Sequence, residues 1–305
     1  MEGISMQKAP VSQERKESKK TSFEKLNEVM ARMSREVNSM VKEQYDMEAL
    51  VDDAGRIRAE LYAKEEGGIY EGAEVADDQE IVDGLDRHNS SADDPRVQEF
   101  YKKEYGADGT AEGTLAKYRE RKEAAKSNQA EVAITALLHK MLKERFLVVR
   151  ASTFDDYKHG MDNLILDRET GAVICAFDEV IRNEGDAGKT PVKLEKIKKA
   201  ALKGGNEAKY GIALKDDTLV RSRLRNVPVF YLSLESKDLN ALTNDLTNGF
   251  DSDATALEQA LFAHLVNSIK EQKDILEKLP LPQVMKNKLS AFEESLGVLE
   301  GVASN

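Results

Sequence analysis

Between residues 128 and 235 short apolar runs alternate with helical stripes, and this alternation restricts the fold more than any other feature of the chain. Ala130, Ala133, Ile134, Leu137, Leu138, Met141 and Leu142 recur at helical spacing, and Lys143, Glu144 and Arg145 close the stripe. FLVVR at Phe146–Arg150 then reads as a strand and NLIL at 163–166 as a second, with DRETG at 167–171 as the hairpin turn that follows. AVICAFDEV at 172–180 is apolar on both alternating faces as far as Asp178, the pattern of a central strand covered on both sides. A Lys-rich helix is expected over 191–202, stopped by Gly204-Gly205, and VPVFYLSL at 227–234 reads as a fourth strand. Two amphipathic helices, 254–278 and 282–299, are separated by Pro280 and Pro282. The order α-β-β-β-α-β-α-α predicts an α/β protein: a mixed sheet with helices on its faces and helical extensions at both ends.

Outside 128–235 the chain is more polar. Residues 1–21 carry no periodic apolar set and read as a disordered tail. Over 22–64 a helical region is expected, because Phe23, Leu26, Met30, Met33, Val37 and Met40 are spaced 3, 4, 3, 4, 3 along one helical face. Such a short Met-rich stripe either pairs with a second copy through 22–41 or folds back on its own body, and the latter is favoured. Residues 65–113, with Gly-Gly, Asp-Asp and Asn-Ser-Ser punctuation, read as an acidic linker holding one short helix at 94–104. That division leaves 114–253 as the core and 254–305 as a C-terminal helical extension. One cysteine, Cys175, excludes an internal disulfide framework and a cysteine-rich zinc site. No apolar leader opens the chain and no run approaches the ~18 apolar residues of a membrane helix, so a cytoplasmic protein without a membrane partner is expected.

The net charge of −11 is unevenly placed. Residues 65–100 hold twelve acids against Arg87 and Arg96, whereas 181–226 hold eight lysines and four arginines against six acids. An overall acidic chain therefore contains one basic segment able to meet phosphates, and a nucleic-acid partner, DNA first, remains open. Lys193, Lys196, Lys198, Lys199, Arg221, Arg223 and Arg225 are the candidates for that grip. A solvated lysine face is the plain alternative.

Three acids sit where a sheet core wants apolar side chains. Glu131 shares the inner edge of its helix with Ile134 and Leu138, Asp162 shares a strand face with Leu164 and Leu166, and Asp178 shares one with Ile174, Ala176 and Val180. Burying a carboxylate costs several kcal/mol unless it is paired or bound to a cation. Acids from a helix and two strands, converging at one end of a sheet, would make an oxygen-rich cage suited to Mg²⁺ or Mn²⁺. The alternative is that Asp162 and Asp178 end their strands in turns, where Asp is common.

The succession AE-x-x-(apolar)-x-x-L-L at 130–138, a strand, GMDNLIL at 160–166 and AVICAFDEV resembles the PD-(D/E)XK nuclease superfamily. The resemblance covers residues 128–235 and implies a restriction-endonuclease-like α-β-β-β-α-β core with a metal-dependent phosphodiesterase site. It implies that Glu131 is the helix glutamate and that Asp162 and Asp178 are the acids of the second and third strands. TFDDYKHGMD, just upstream, points in the same way to Asp155 and Asp156. The lysine that the family places two residues after the third-strand acid is Val180 here. The resemblance then implies a replacement from the following helix, for which Lys193 and Lys196 are best placed. Its two competitors are a non-catalytic nucleic-acid-binding module on the same fold and a helical protein-interaction module. His88, His139, His159 and His264 are too scattered for a metal cluster, and Tyr210, Phe230 and Tyr231 too few for a base-stacking platform.

Overall fold

The computed structural model describes residues 20–174, 176–182 and 189–304, with side chains outside 174–191. The tail expected at 1–21 thus falls almost wholly outside the described residues, as do Cys175 and the side chain of Asp178. The protein is mixed α/β.

Its first helix, α1 (Ser22–Tyr45), starts at a capping box in which Thr21 and Glu24 satisfy each other's backbone N–H groups. The Met-rich stripe, with Leu26, Met30, Met33 and Val37 buried, packs on the chain's own helices α5 (Lys126–Leu142) and α8 (Ser236–Gly249). Phe23 and Met40, at the two ends of the stripe, are half-buried. Asn38 of α1 accepts the N–H groups of Leu50 and Val51 at 2.8 and 3.0 Å and donates to Val51 O at 2.9 Å, clamping the loop that follows.

The stretch expected to be a linker holds α2 (Gly72–Ser90) as well as α3 (Pro95–Tyr105), the latter where a short helix was expected at 94–104, and α4 (Ala111–Glu123) follows at its end. Its acids are anchors as well as solvating groups. Asp78 accepts from Tyr210 Oη at 2.6 Å and pairs with Lys209 at 2.6 Å; Asp86 pairs with Arg119 at 2.9 Å. Composition marked this segment as solvated because the partners lie on other elements, up to 132 residues away.

The core begins at α5 and β1 (Phe146–Arg150), both with long buried runs. A short helix, α6 (Thr153–His159), precedes β2 (Asn163–Asp167), which pairs antiparallel with β1 so that Arg150 faces Asn163. β3 (Val173–Ile174) returns antiparallel to β2, and β4 (Ala176–Arg182) runs parallel to β7 (Val229–Glu235), with Asp178 opposite Tyr231. Helix α7 (Lys189–Leu202) lies in the crossover between them. A hairpin of β5 (Asn206–Lys215) and β6 (Thr218–Val227), turned through Asp216 and Asp217 at positive φ, is inserted after α7. The strand expected at 227–234 divides at Pro228, with Val227 closing β6 and Val229 opening β7.

Helices α9 (Ala256–Glu277) and α10 (Gln283–Ala303) complete the chain. Gln272 of α9 both accepts from and donates to the Tyr231 backbone, at 2.8 and 2.7 Å. No helix among the described residues is long and apolar enough to cross a membrane.

Asp167 joins the end of β2 to α10. Its buried carboxylate accepts from Arg145 Nε and Nη2 at 3.1 and 2.9 Å, from Ser295 Oγ at 2.8 Å and from the Glu169 N–H at 3.0 Å. Burial opposes its charge, but Arg145, Ser295 and the turn N–H groups prevail and hold its pKa below the ordinary carboxylate value. The folded state therefore binds this proton less readily than the unfolded chain, so the stabilisation is complete above the unfolded pKa of about 3.9 and is lost as pH falls through the lower folded value. Asp167→Asn is expected to lower stability at pH 7, with the gap to wild type narrowing below about pH 4. Urea melts at pH 7, 5 and 3 measure it.

Candidate functional site

Glu131 lies on the second turn of α5, where an apolar residue would otherwise meet the sheet. One turn later Thr135 Oγ1 contacts Asn163 Oδ1 at 2.8 Å, locking the start of β2 against α5. The Ala151 N–H donates to Asp162 O at 2.8 Å, extending the β1–β2 ladder by one step. These two bonds place Asp162 beside Glu131.

Helix α6 is capped by Ser152 at one end and by Gly160, at φ 62°, at the other. It brings Asp156 to the same point. One carboxylate oxygen from each of Glu131, Asp156 and Asp162 lies within 4.8 Å of the others, with Asp162 buried and the other two half-buried.

Asp155 has a different task. Fully buried, it accepts the N–H groups of Lys209 and Tyr210 at 2.7 and 3.0 Å and contacts Ser152 Oγ and His159 Nδ1, each at 2.8 Å. It fastens α6 to β5 and stays out of the acidic cluster.

Two arginines answer the cluster's charge. Arg150, 2% exposed, donates from Nη2 to Glu131 Oε2 and Asn128 Oδ1, each at 2.8 Å. Arg56 donates to Asp156 Oδ2 at 3.2 Å and sits 3.8 Å from Glu131 Oε2. Arg56 is held there because residues 55–57 add to the edge of β1, Arg150 N–H donating to Gly55 O at 2.8 Å and Ile57 N–H to Arg150 O at 3.0 Å. Gly55 has φ 75°, and a Cβ there would lie 2.7 Å from Met30 Sδ, so the segment requires glycine. Burial works against the Arg56 charge, but Asp156, Glu131, Asp162 and Asp52 outweigh it and raise its pKa.

The cluster opens on a cleft of about 660 Å³ lined by Asp52, Arg56, Lys122, Glu131, Arg150 and Asp156 among others. Lys122 of α4 contacts the Tyr157 hydroxyl and lies 3.7 Å from Asp86. Burial pulls its ammonium below the ordinary lysine range despite the opposing pull of Asp86 and Asp156. Burial and the hydrogen bond to Asp86 push the Tyr157 hydroxyl far above the usual tyrosine value.

None of the seven cations expected to grip phosphate lines this cleft. Lys198 pairs with Glu195 at 2.8 Å and Lys199 is exposed. On β6, Arg221 donates to Glu48 O at 3.4 Å, Arg223 pairs with Glu207, and Arg225 lies 3.8 Å from Glu207. Lys193 is half-buried on α7; Lys196, one turn on, brings Nζ to 3.6 Å from where a Cβ on Gly160 would stand, two residues before Asp162.

The cleft's cations are Arg56, Arg119, Lys122 and Arg150, none of them singled out by the sequence. Arg150 left a trace, as the charge that ends an otherwise apolar strand. Arg56 left none, being 100 residues from its partner.

Compared with known protein families, curated proteins and solved structures, the chain matches none. The reading of the site rests on its own residues.

Arg56→Met is expected to cost about 3 kcal/mol, because it leaves Asp156 without its charged partner in a half-buried site. Arg56→Lys should recover part of that loss. Chemical denaturation of both variants against wild type is the measurement.

Proposed function

We propose that the protein hydrolyses phosphodiester bonds in nucleic acid, DNA first, with Mg²⁺ or Mn²⁺ held by Glu131, Asp156 and Asp162. The observation that carries the reading is the meeting of three carboxylates from α5, α6 and the start of β2 beside a cleft large enough for a nucleotide. The donor set fits such an ion: it is all carboxylate oxygen, which suits hard divalent cations and not zinc or copper. Two oxygens on one Mg²⁺ stand about 3–4 Å apart, so oxygens within 4.8 Å need only side-chain rotation.

A bound Mg²⁺ or Mn²⁺ would polarise a phosphate oxygen and lower the pKa of a bound water. The chain's own residues position and neutralise. Arg150 and Arg56 fix the carboxylates in place, and Lys122, across the cleft, can donate to an incoming phosphate. Lys196, near Gly160, can do so from the Asp162 side. On this reading the α-β-β-β-α-β order from α5 to β7 is a restriction-endonuclease-like core enlarged by α6 and the β5–β6 hairpin, and the position of Asp178 on β4 makes it a further candidate ligand.

A second reading has an observation of its own. Arg150 and Arg56 already pair with Glu131 and Asp156, which would serve a binding module that needs no metal.

Two measurements separate them. Calorimetric titration of Mn²⁺ should show binding to wild type, weakened more than about 100-fold in Asp162→Ala. Full-length protein incubated with plasmid, single-stranded DNA and RNA in Mn²⁺ should cleave at least one substrate, and Asp156→Asn should lose that activity. Equal Mn²⁺ binding by wild type and variant, or none by either, removes the metal site and leaves the binding module.

A further inference from the structure

Helix α3 buries none of its side chains fully, although it carries Phe100, Tyr101 and Tyr105. The three rings meet edge-to-face, with centroids 5.8, 5.6 and 5.2 Å apart, and none of them joins the hydrophobic core. Phe100 is 51% exposed, the most exposed aromatic ring among the large hydrophobic side chains of the described residues. Tyr101 and Tyr105 are half-buried, while Phe100 keeps half its surface in water, and an apolar ring left there calls for a partner.

The surroundings of the trio indicate which kind. Arg121 of α4 places its guanidinium 3.7 Å from the centre of the Tyr105 ring, so the patch mixes aromatic faces with a planar cation. Arg96, Lys102 and Lys103 balance Asp94, Glu99 and Glu104, so α3 with its cap is neutral in a chain of net charge −11. Phe100 is the only large apolar side chain of α3 that stands well clear of the surface, far short of the apolar centre that a protein interface of about 1,000 Å² buries. Ring faces flanked by guanidinium and ammonium groups are what unpaired bases stack on.

The patch also lies next to the cleft. Arg121 covers Tyr105 from one flank of α4, while Arg119 and Lys122, on the same turn and a half of that helix, line the cleft that holds Glu131 and Asp156. Helix α4 thus carries residues of both the aromatic patch and the cleft wall.

We propose that the Phe100–Tyr101–Tyr105 face of α3 stacks the bases of a single-stranded nucleic acid whose backbone crosses α4 into the cleft. The proposal rests on the reading of that cleft as a nucleic-acid site and names its substrate class as a single strand. Stacking adds to the phosphate contacts made in the cleft, so binding should still weaken as salt rises.

Fluorescence anisotropy of the full-length protein tests it, using a labelled oligothymidine of about 15 nucleotides and a duplex of equal length, with Ca²⁺ in place of Mg²⁺. Wild type should prefer the single strand. Phe100→Leu and Tyr105→Leu should each weaken that binding on the order of tenfold without changing the melting temperature, since both rings lie outside the core. Unchanged affinity in both leucine variants overturns the stacking face, and so does a wild-type dimer in sedimentation that Phe100→Leu dissociates. If cleavage persists and still requires Asp156, the cleft reading stands without it. If wild type neither binds nor cleaves any nucleic acid, both fall together.

Discussion

Arg150 carries a charge almost completely out of water, and that can be stable only if every group around it is arranged to receive it. Its backbone holds residues 55 and 57 as an added edge of β1, and its side chain reaches Glu131, Asn128 and the Ala54 carbonyl. One residue thereby joins the first strand of the core, its leading helix and a loop from the N-terminal third. The acidic cluster follows from this. Glu131 can sit at the inner edge of α5 because Arg150 neutralises it, and Arg56 arrives beside Asp156 because the Arg150 backbone pairs with its neighbours.

The same logic governs the acids of α2. Asp78 and Asp86 are nearly as buried as apolar side chains, and each is matched to a cation and a tyrosine hydroxyl from elsewhere in the chain. The acidity of 65–100 is therefore partly structural: Asp78 and Asp86 dock the helix, Asp83 and Glu74 add pairs to the same Arg119 and Lys209, and Asp77 and Glu80 face solvent.

What was legible in the sequence was whatever depends on near neighbours. The stripe of α5, the runs of β1 and β2, the turn at 167–171 and the two C-terminal helices all declare themselves within a dozen residues. Glu131 and Asp162 were visible because a carboxylate interrupts an apolar pattern, and Asp156 because of the resemblance in TFDDYKHGMD. Helix α2 was hidden, since a charge paired across 132 residues looks the same in sequence as a charge in water. The β5–β6 hairpin was hidden for another reason. Register shifts between Asn206 and Gly211 break the alternation that identifies a strand, and its Asp-Asp turn lacks the usual glycine.

The tyrosines that bind the N-terminal third to β5 set a timetable for synthesis. Tyr62 donates to Gly211 O at 2.7 Å and Tyr70 to Lys209 O at 2.9 Å, across 149 and 139 residues. At about 5–20 residues per second, a ribosome needs roughly 7–30 s to supply those partners after the tyrosines emerge. For that interval the early chain must stay dissolved with its docking groups unmet, and the many acids between residues 65 and 100 supply the mutual repulsion that keeps it so. The charges that later lock α2 in place first serve as the chain's protection against aggregation.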